Sequence, residues 1–191
     1  MPSVTETLLV PALSGTFGVT LTRHARAFFQ ANRFLLTTLV AAVVDAVPDG
    51  RTLDLYAGVG LFSAAIANHG GDVIAIEGDR TTADDLKRNA AVARGSIDAR
   101  HQSVETFLAT EGPAGVTCVL VDPPRTGMSK EALTRAIGLG APRLVYVSCD
   151  VATLGRDGRV LADNGYRLTA LQMLDLFPNT AHVESVAVFE R

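Results

Sequence analysis

Three groups of residues in this chain could do chemistry. The first is Asp54-Leu55-Tyr56-Ala57-Gly58-Val59-Gly60-Leu61-Phe62-Ser63, an apolar run that ends in a glycine turn. Glycines between a strand and a helix let a ligand approach the backbone, and they point the helix N-terminus at the ligand's negative end. Glu77, 17 residues after Gly60 and followed by Gly78-Asp79, ends the next apolar run. An acid there is placed to accept hydrogen bonds from both ribose hydroxyls of an adenosine. The turn Gly58-x-Gly60-x-x-Ser63 lacks the third glycine of the dinucleotide fingerprint and carries no basic group. Both features favour S-adenosylmethionine over NAD, although the turn alone leaves the two open.

The second group is Asp122-Pro123-Pro124-Arg125, into which the apolar run ending at Val121 leads. Two prolines fix the backbone and remove N–H donors, holding the acid at the edge of the sheet where open α/β folds bind ligands. The third is Tyr146-Val147-Ser148-Cys149-Asp150. A cysteine there, ahead of a helix N-terminus, can have its thiolate stabilised by the helix dipole. Cys118, inside an apolar run, reads as core. Glu184 stands in His182 to Phe189, a run otherwise mostly apolar, as either an exposed alternate position or a functional carboxylate; spacing alone favours the exposed position. His182 reads as a hydrogen-bonded strand histidine.

These residues need a scaffold, and the apolar pattern supplies it. Near-continuous runs at 52–56, 72–76, 116–121 and 143–147 have the character of parallel strands buried on both faces. Helices are predicted at 61–69, about 80–94, 103–110, 129–138 and about 151–163. The βαβα order predicts an α/β, doubly wound, mostly parallel sheet. Before it, 8–11 and 17–22 flank Ser14-Gly15 as a short hairpin, and about 30–46 reads as one long helix. After it, 166–177 and 182–189 should pair antiparallel across Pro178-Asn179-Thr180. The expected division is a hairpin extension over 1–28 and a catalytic domain over 29–191.

Composition narrows the class. With 48% hydrophobic and 19% charged residues in 191, the chain is one ordinary domain with a sizeable core, which excludes disorder and fibre. Two cysteines are too few for a disulfide framework or a Cys-ligated zinc or iron-sulfur site, so no metal is expected. The absence of a basic leader and of any membrane-length apolar stretch leads to the expectation of a cytoplasmic protein with no membrane partner.

Together the motifs resemble the S-adenosylmethionine-dependent RNA uracil-C5 methyltransferases, which make 5-methyluridine in ribosomal and transfer RNA. The resemblance runs in order from Phe28-Phe29-Gln30-Ala31-Asn32 through the glycine turn, Asp122 to Gly127, and the cysteine segment with Ala152-Thr153-Leu154 and Arg156-Asp157. It ends in Leu174-Asp175-Leu176-Phe177-Pro178 and His182-Val183-Glu184-Ser185. It implies a Rossmann-like class I methyltransferase fold with S-adenosylmethionine as cofactor. Cys149 becomes the nucleophile and Glu184 the base. Gln30, Tyr56, Gly58, Gly60, Glu77, Ser103 and Asp122 become cofactor contacts, with Gln30, Asp122 and Arg125 also on the substrate side. The RNA partner would be rRNA or tRNA and the protein a monomer. No long insertion separates the third and fourth strands, which favours ribosomal RNA.

Relatives generally carry an OB-like RNA-binding domain, and some an iron-sulfur cluster on four cysteines; neither is read here. An RNA cytosine-C5 methyltransferase is the alternative enzyme, but those generally have a cysteine after the motif's proline, where this chain has Pro124-Arg125. A non-catalytic S-adenosylmethionine- or RNA-binding module is the alternative outside catalysis. The net charge of -3 first argues against a nucleic-acid partner. Its distribution reverses that: residues 36–122 hold twelve acids against six bases, whereas 1–35 and 123–170, which bear Gln30, Arg125 and Cys149, are net positive.

Overall fold

The computed structural model describes residues 2–13, 15–30, 32–110 and 112–191. Five parallel strands form its centre: β3 (Arg51–Leu55), β4 (Asp72–Glu77), β5 (Ser96–His101), β6 (Val116–Val121) and β7 (Arg143–Ser148). Two more, β8 (Arg167–Leu174) and β9 (Glu184–Glu190), complete a seven-stranded sheet of order β5-β4-β3-β6-β7-β9-β8. The apolar runs are continuous because both faces are covered. Leu53, Leu55, Val119, Val121, Leu144 and Tyr146 enter one buried cluster, while Cys118, Leu120, Val145 and Val147 enter the other. Each fully buried Leu or Val contributes roughly 1.5–3 kcal/mol.

The topology determines where a site can lie. From β3 the chain winds outward to β4 and β5, then returns to lay β6 against the other side of β3. The order therefore reverses between β3 and β6, and ligands of open α/β sheets bind beyond the strand C-termini at such a point. Residues 56–60, Glu77, Asp122 and Cys149 all lie at or just beyond the C-terminal ends of parallel strands. Strand β9 runs antiparallel to β7, pairing Ser185 with Ser148, so the start of β9 reaches the same edge. Glu184 is thus brought beside Cys149's strand by chain reversal.

The helices are α1 (Leu36–Ala46), α2 (Leu61–Asn68), α3 (Arg80–Val92), α4 (Val104–Ala109), α5 (Lys130–Gly138) and α6 (Val151–Asp163). Side chains of Asp79, Ser103, Ser129 and Asp150 cap α3, α4, α5 and α6 by accepting backbone N–H groups. The long helix expected from residue 30 begins at Leu36 instead. Asn32 Oδ1 accepts from the N–H groups of Phe34 (3.1 Å) and Leu35 (3.2 Å), stabilising a turn where helix was expected.

The hairpin is longer than its apolar pattern, with β1 at Ser3–Ala12 and β2 at Gly15–His24. The added length is polar: Thr5 bonds Thr22 and Thr7 bonds Thr20 across the exposed face. Ser14 of the expected turn, and Ala31 of the Phe28–Asn32 motif, lie outside the described residues. Val10, Val19 and Leu21 of the hairpin are buried in the same cluster as Leu39 and Val43 of α1. His182, expected within the last strand, precedes β9 and meets the Phe177 ring edge-on, centroids 6.3 Å apart. Among the described residues no helix is long and apolar enough to cross a membrane.

Candidate active site

A cleft of about 1480 Å³ opens at this sheet edge. Tyr56, Gly58, Glu77 and Asp122 line it, as do Gln30, Arg125, Cys149 and Glu184. Two of the expected cofactor contacts are not on its wall. Gly60 lies behind the turn at φ +89°, where a Cβ would meet Leu86 Cδ1 at 2.6 Å. Ser103 caps α4, donating to Thr106 Oγ1 at 2.7 Å and accepting the Thr106 N–H at 3.2 Å.

The glycine turn is braced from below and from the side. Glu77 Oε2 accepts the Gly58 N–H and Oε1 the Asp79 N–H, both at 2.7 Å, so the acid ties the two loops together. Tyr56 adopts φ 65°, a left-handed conformation that a non-glycine residue holds only when its surroundings enforce it. Asn89 of α3 donates to Val59 O at 2.8 Å and accepts from Thr22 N at 2.8 Å, joining turn and hairpin. Beneath the turn, buried Asp54 accepts from Ser63 Oγ, while its Oδ1 has no partner among the described residues. Burial pushes the Asp54 carboxyl up to about 7, against the pull of Ser63. Sequence reasoning passed over Asp54 and Asn89 as separate contributors; a charged residue inside an otherwise apolar strand was the available signal for Asp54.

At the other strand ends the acids crowd together. Glu184 is 2% exposed, and burial pushes its carboxyl up to about 7. Half-buried Asp122 lies well above the usual carboxylate range, through desolvation first and then the charges of Glu184 and Asp54. Cys149 is partly buried. Its thiol is pushed up by burial and by Glu184, while a hydrogen bond and the positive charge from Arg125 pull it down. The dipole of α6 is therefore joined by burial and by carboxylates that act against the thiolate. Arg125 is the cation beside the sulfur. Cys118 is fully buried, its thiol pushed up to about 12, as a core residue should be.

The Asp122–Met128 loop is locked to the helix that follows Cys149. Asp157 Oδ2 accepts the Tyr146 hydroxyl (2.6 Å) and the Met128 N–H (3.1 Å). Arg156 donates to Thr126 O and Met128 O, and Thr153 Oγ1 donates to Arg125 O at 2.9 Å. Gly127, at φ +74°, leaves the room these side chains occupy. Cysteine and loop thus share one frame. Among the described residues no cluster of His, Cys, Asp or Glu could hold a metal ion.

This fold is that of the Rossmann-like class I methyltransferases. Within that class the chain is similar to the RNA uracil-C5 methyltransferases, as its motifs suggested: the family model described as tRNA (Uracil-5-)-methyltransferase matches residues 114–191. A 23S rRNA (uracil(1939)-C(5))-methyltransferase of Alkalilimnicola ehrlichii is 38% identical over 91% of this chain and 40% of its own length. An uncharacterized RNA methyltransferase of Streptomyces coelicolor is 39% identical over 85% of this chain and 37% of its own. The crystal structure of Pyrococcus abyssi tRNA (uracil-54, C5)-methyltransferase in complex with S-adenosyl-L-homocysteine superimposes with a TM-score of 0.81 at 31% identity, over 90% of this chain and 42% of that one. The chain spans about two fifths of the length of these relatives.

Proposed function

We propose that this chain is the catalytic part of an enzyme that transfers a methyl group from S-adenosylmethionine to C5 of a uridine in RNA. The favoured substrate is 23S ribosomal RNA, with transfer RNA the other, and the setting is the cytoplasm. Residues 29–191 form the catalytic domain in this reading and residues 1–28 its hairpin extension. The observation that carries the proposal is the presence of Cys149 and buried Glu184 on the wall of the same cleft as the glycine turn braced by Glu77.

The residues fit S-adenosylmethionine. A Cβ at Gly58 would meet nothing within 4 Å, so bare backbone faces the ligand space. Each Glu77 oxygen holds one backbone N–H and keeps a lone pair for a ribose hydroxyl. Gln30, Tyr56 and Asp122 complete the wall. Gly60 contributes through the turn, and Ser103 through capping α4 beside Gly78. When bound, the cofactor supplies a methyl group on a sulfonium.

Uracil C5 is too weak a nucleophile to attack that methyl unaided, and covalent catalysis removes the difficulty. Cys149, its proton given up to water, adds as the thiolate to C6, and the C5=C6 electrons move to C5 and the O4 enolate, which leaves Glu184 unprotonated for the later step. Arg125 stabilises the reacting sulfur, and the Gln30 amide is the donor for the enolate oxygen. After C5 has gained its methyl, Glu184 takes the C5 proton, the double bond re-forms and the thiolate leaves. A carboxylate pushed up to about 7 is matched to that base role near neutral pH. A base in folded RNA must be extruded to reach the cleft, where Pro123 and Pro124 give it a flat apolar face.

The test is incubation with methyl-labelled S-adenosylmethionine and unmodified 23S rRNA or tRNA, followed by nucleoside mass spectrometry. Label in 5-methyluridine supports the proposal; label in 5-methylcytidine, or none, overturns it.

A further inference from the structure

Beside the main cleft lies a second cavity of about 560 Å³, and Ala27, Phe29 and Gln30 line both. Its own walls include Glu6, Arg23 and Arg33. Its one acid is already engaged, because Arg23 Nη2 holds Glu6 Oε1 at 2.9 Å. Arg23 Nε is nevertheless buried without a partner among the described residues, so a desolvated donor remains to be satisfied. Arg33 is exposed, makes no ion pair among the described residues, and lies 5.4 Å from the centre of the Phe34 ring. Phe34 is 81% exposed and Phe28, at the mouth of the main cleft, 77% exposed. Two bare phenylalanine rings among arginines form a surface that water does not favour. Single-stranded nucleic acid does favour it, through cations for phosphates and rings for bases.

We infer that the second cavity is the subsite for the nucleotide adjoining the extruded uridine, with its phosphate held by Arg33 and Arg23 on the cavity wall and its base reaching out of the cavity to the exposed Phe34 ring beside Arg33. The volume lies within the roughly 300–1,000 Å³ of small-ligand sites and leaves room for the phosphate and sugar. Gln30, shared by the two cavities, marks where the strand crosses from one to the other. This inference rests on the proposed RNA substrate and adds where the neighbouring residue binds.

The test measures binding of a short single-stranded RNA by fluorescence anisotropy across a salt series, alongside methylation kinetics. Arg33→Ala should reduce the steepness of log K against log salt by about 0.7, the loss of one phosphate contact. Phe34→Ala should weaken RNA binding about 5- to 100-fold. S-adenosylmethionine affinity and kcat at saturating RNA should stay unchanged in both. Arg159→Ala, the same charge change on an exposed part of α6, should leave the salt slope at the wild-type value. The inference is overturned if Arg33→Ala and Phe34→Ala bind RNA like wild type, or if Arg159→Ala loses as much slope as Arg33→Ala. A failed catalytic reading looks different: wild-type protein would then methylate no uridine, whatever these variants do to binding.

Discussion

The Tyr146 hydroxyl and the Asp157 carboxylate, both buried, are joined at 2.6 Å, and the same carboxylate oxygen accepts the Met128 N–H. One acid of α6 therefore secures the strand that leads to Cys149 and the loop that carries Asp122 and Arg125. Asp157→Ala should cost about 3–5 kcal/mol, because it strands a buried hydroxyl and a buried N–H and breaks the pair with Arg156. Tyr146→Phe removes one bond and should cost about 1.5–3 kcal/mol. Urea denaturation checks the order, and turnover should fall further in Asp157→Ala than in Tyr146→Phe.

Gly60→Ala tests the turn. At φ +89° an alanine suffers roughly 1–2 kcal/mol of backbone strain, and its Cβ would force Leu86 to move. Isothermal titration should show weakened S-adenosylmethionine binding, while RNA binding at low salt is retained.

Buried Glu184 makes a pH prediction. Burial raises the Glu184 carboxyl from 4.5 to about 7, so the folded state holds this proton more tightly than the unfolded chain does. Its contribution to stability is therefore full below pH 4.5 and is lost as pH rises to about 7. Glu184→Gln removes that dependence. Relative to this variant, wild-type protein should lose about 1.4 kcal/mol of stability per pH unit across that window. Thermal unfolding at several pH values reads the difference. Methyl transfer should run the other way, rising as Glu184 ionises near pH 7 and climbing further because the Cys149 thiol also sits high.

The two cysteines should separate cleanly. Cys149 lines the cleft, while Cys118 is fully buried with its thiol pushed up to about 12. Iodoacetamide on folded protein should alkylate Cys149 and leave Cys118 untouched until denaturant is added, as peptide mass spectrometry would show.

What the sequence revealed follows from the range of the forces involved. Strands buried on both faces announce themselves as apolar runs, so β3, β4, β6 and β7 and the residues at their ends could be read directly. The pairing of the last two strands was legible too, because Pro178-Asn179-Thr180 separates their apolar runs. The insertion of β9 between β7 and β8 was not, since it depends on which strand edge is left open. The start of α1 was misread because Asn32 competes for the backbone through its side chain. Asp157 was legible only as part of a motif. Its importance lies in Tyr146 and in Met128, 29 residues away, a relation no local pattern carries.

The central claim is that Cys149 attacks the base. Fluorine at C5 cannot be removed as a proton, so RNA bearing 5-fluorouridine at the target, mixed with protein and S-adenosylmethionine, should trap the enzyme. Denaturing electrophoresis should show a protein–RNA adduct, peptide mass spectrometry should locate it on Cys149, and Cys149→Ala should form none while still binding S-adenosylmethionine. An adduct on another residue, or normal methyl transfer by Cys149→Ala, would contradict the account.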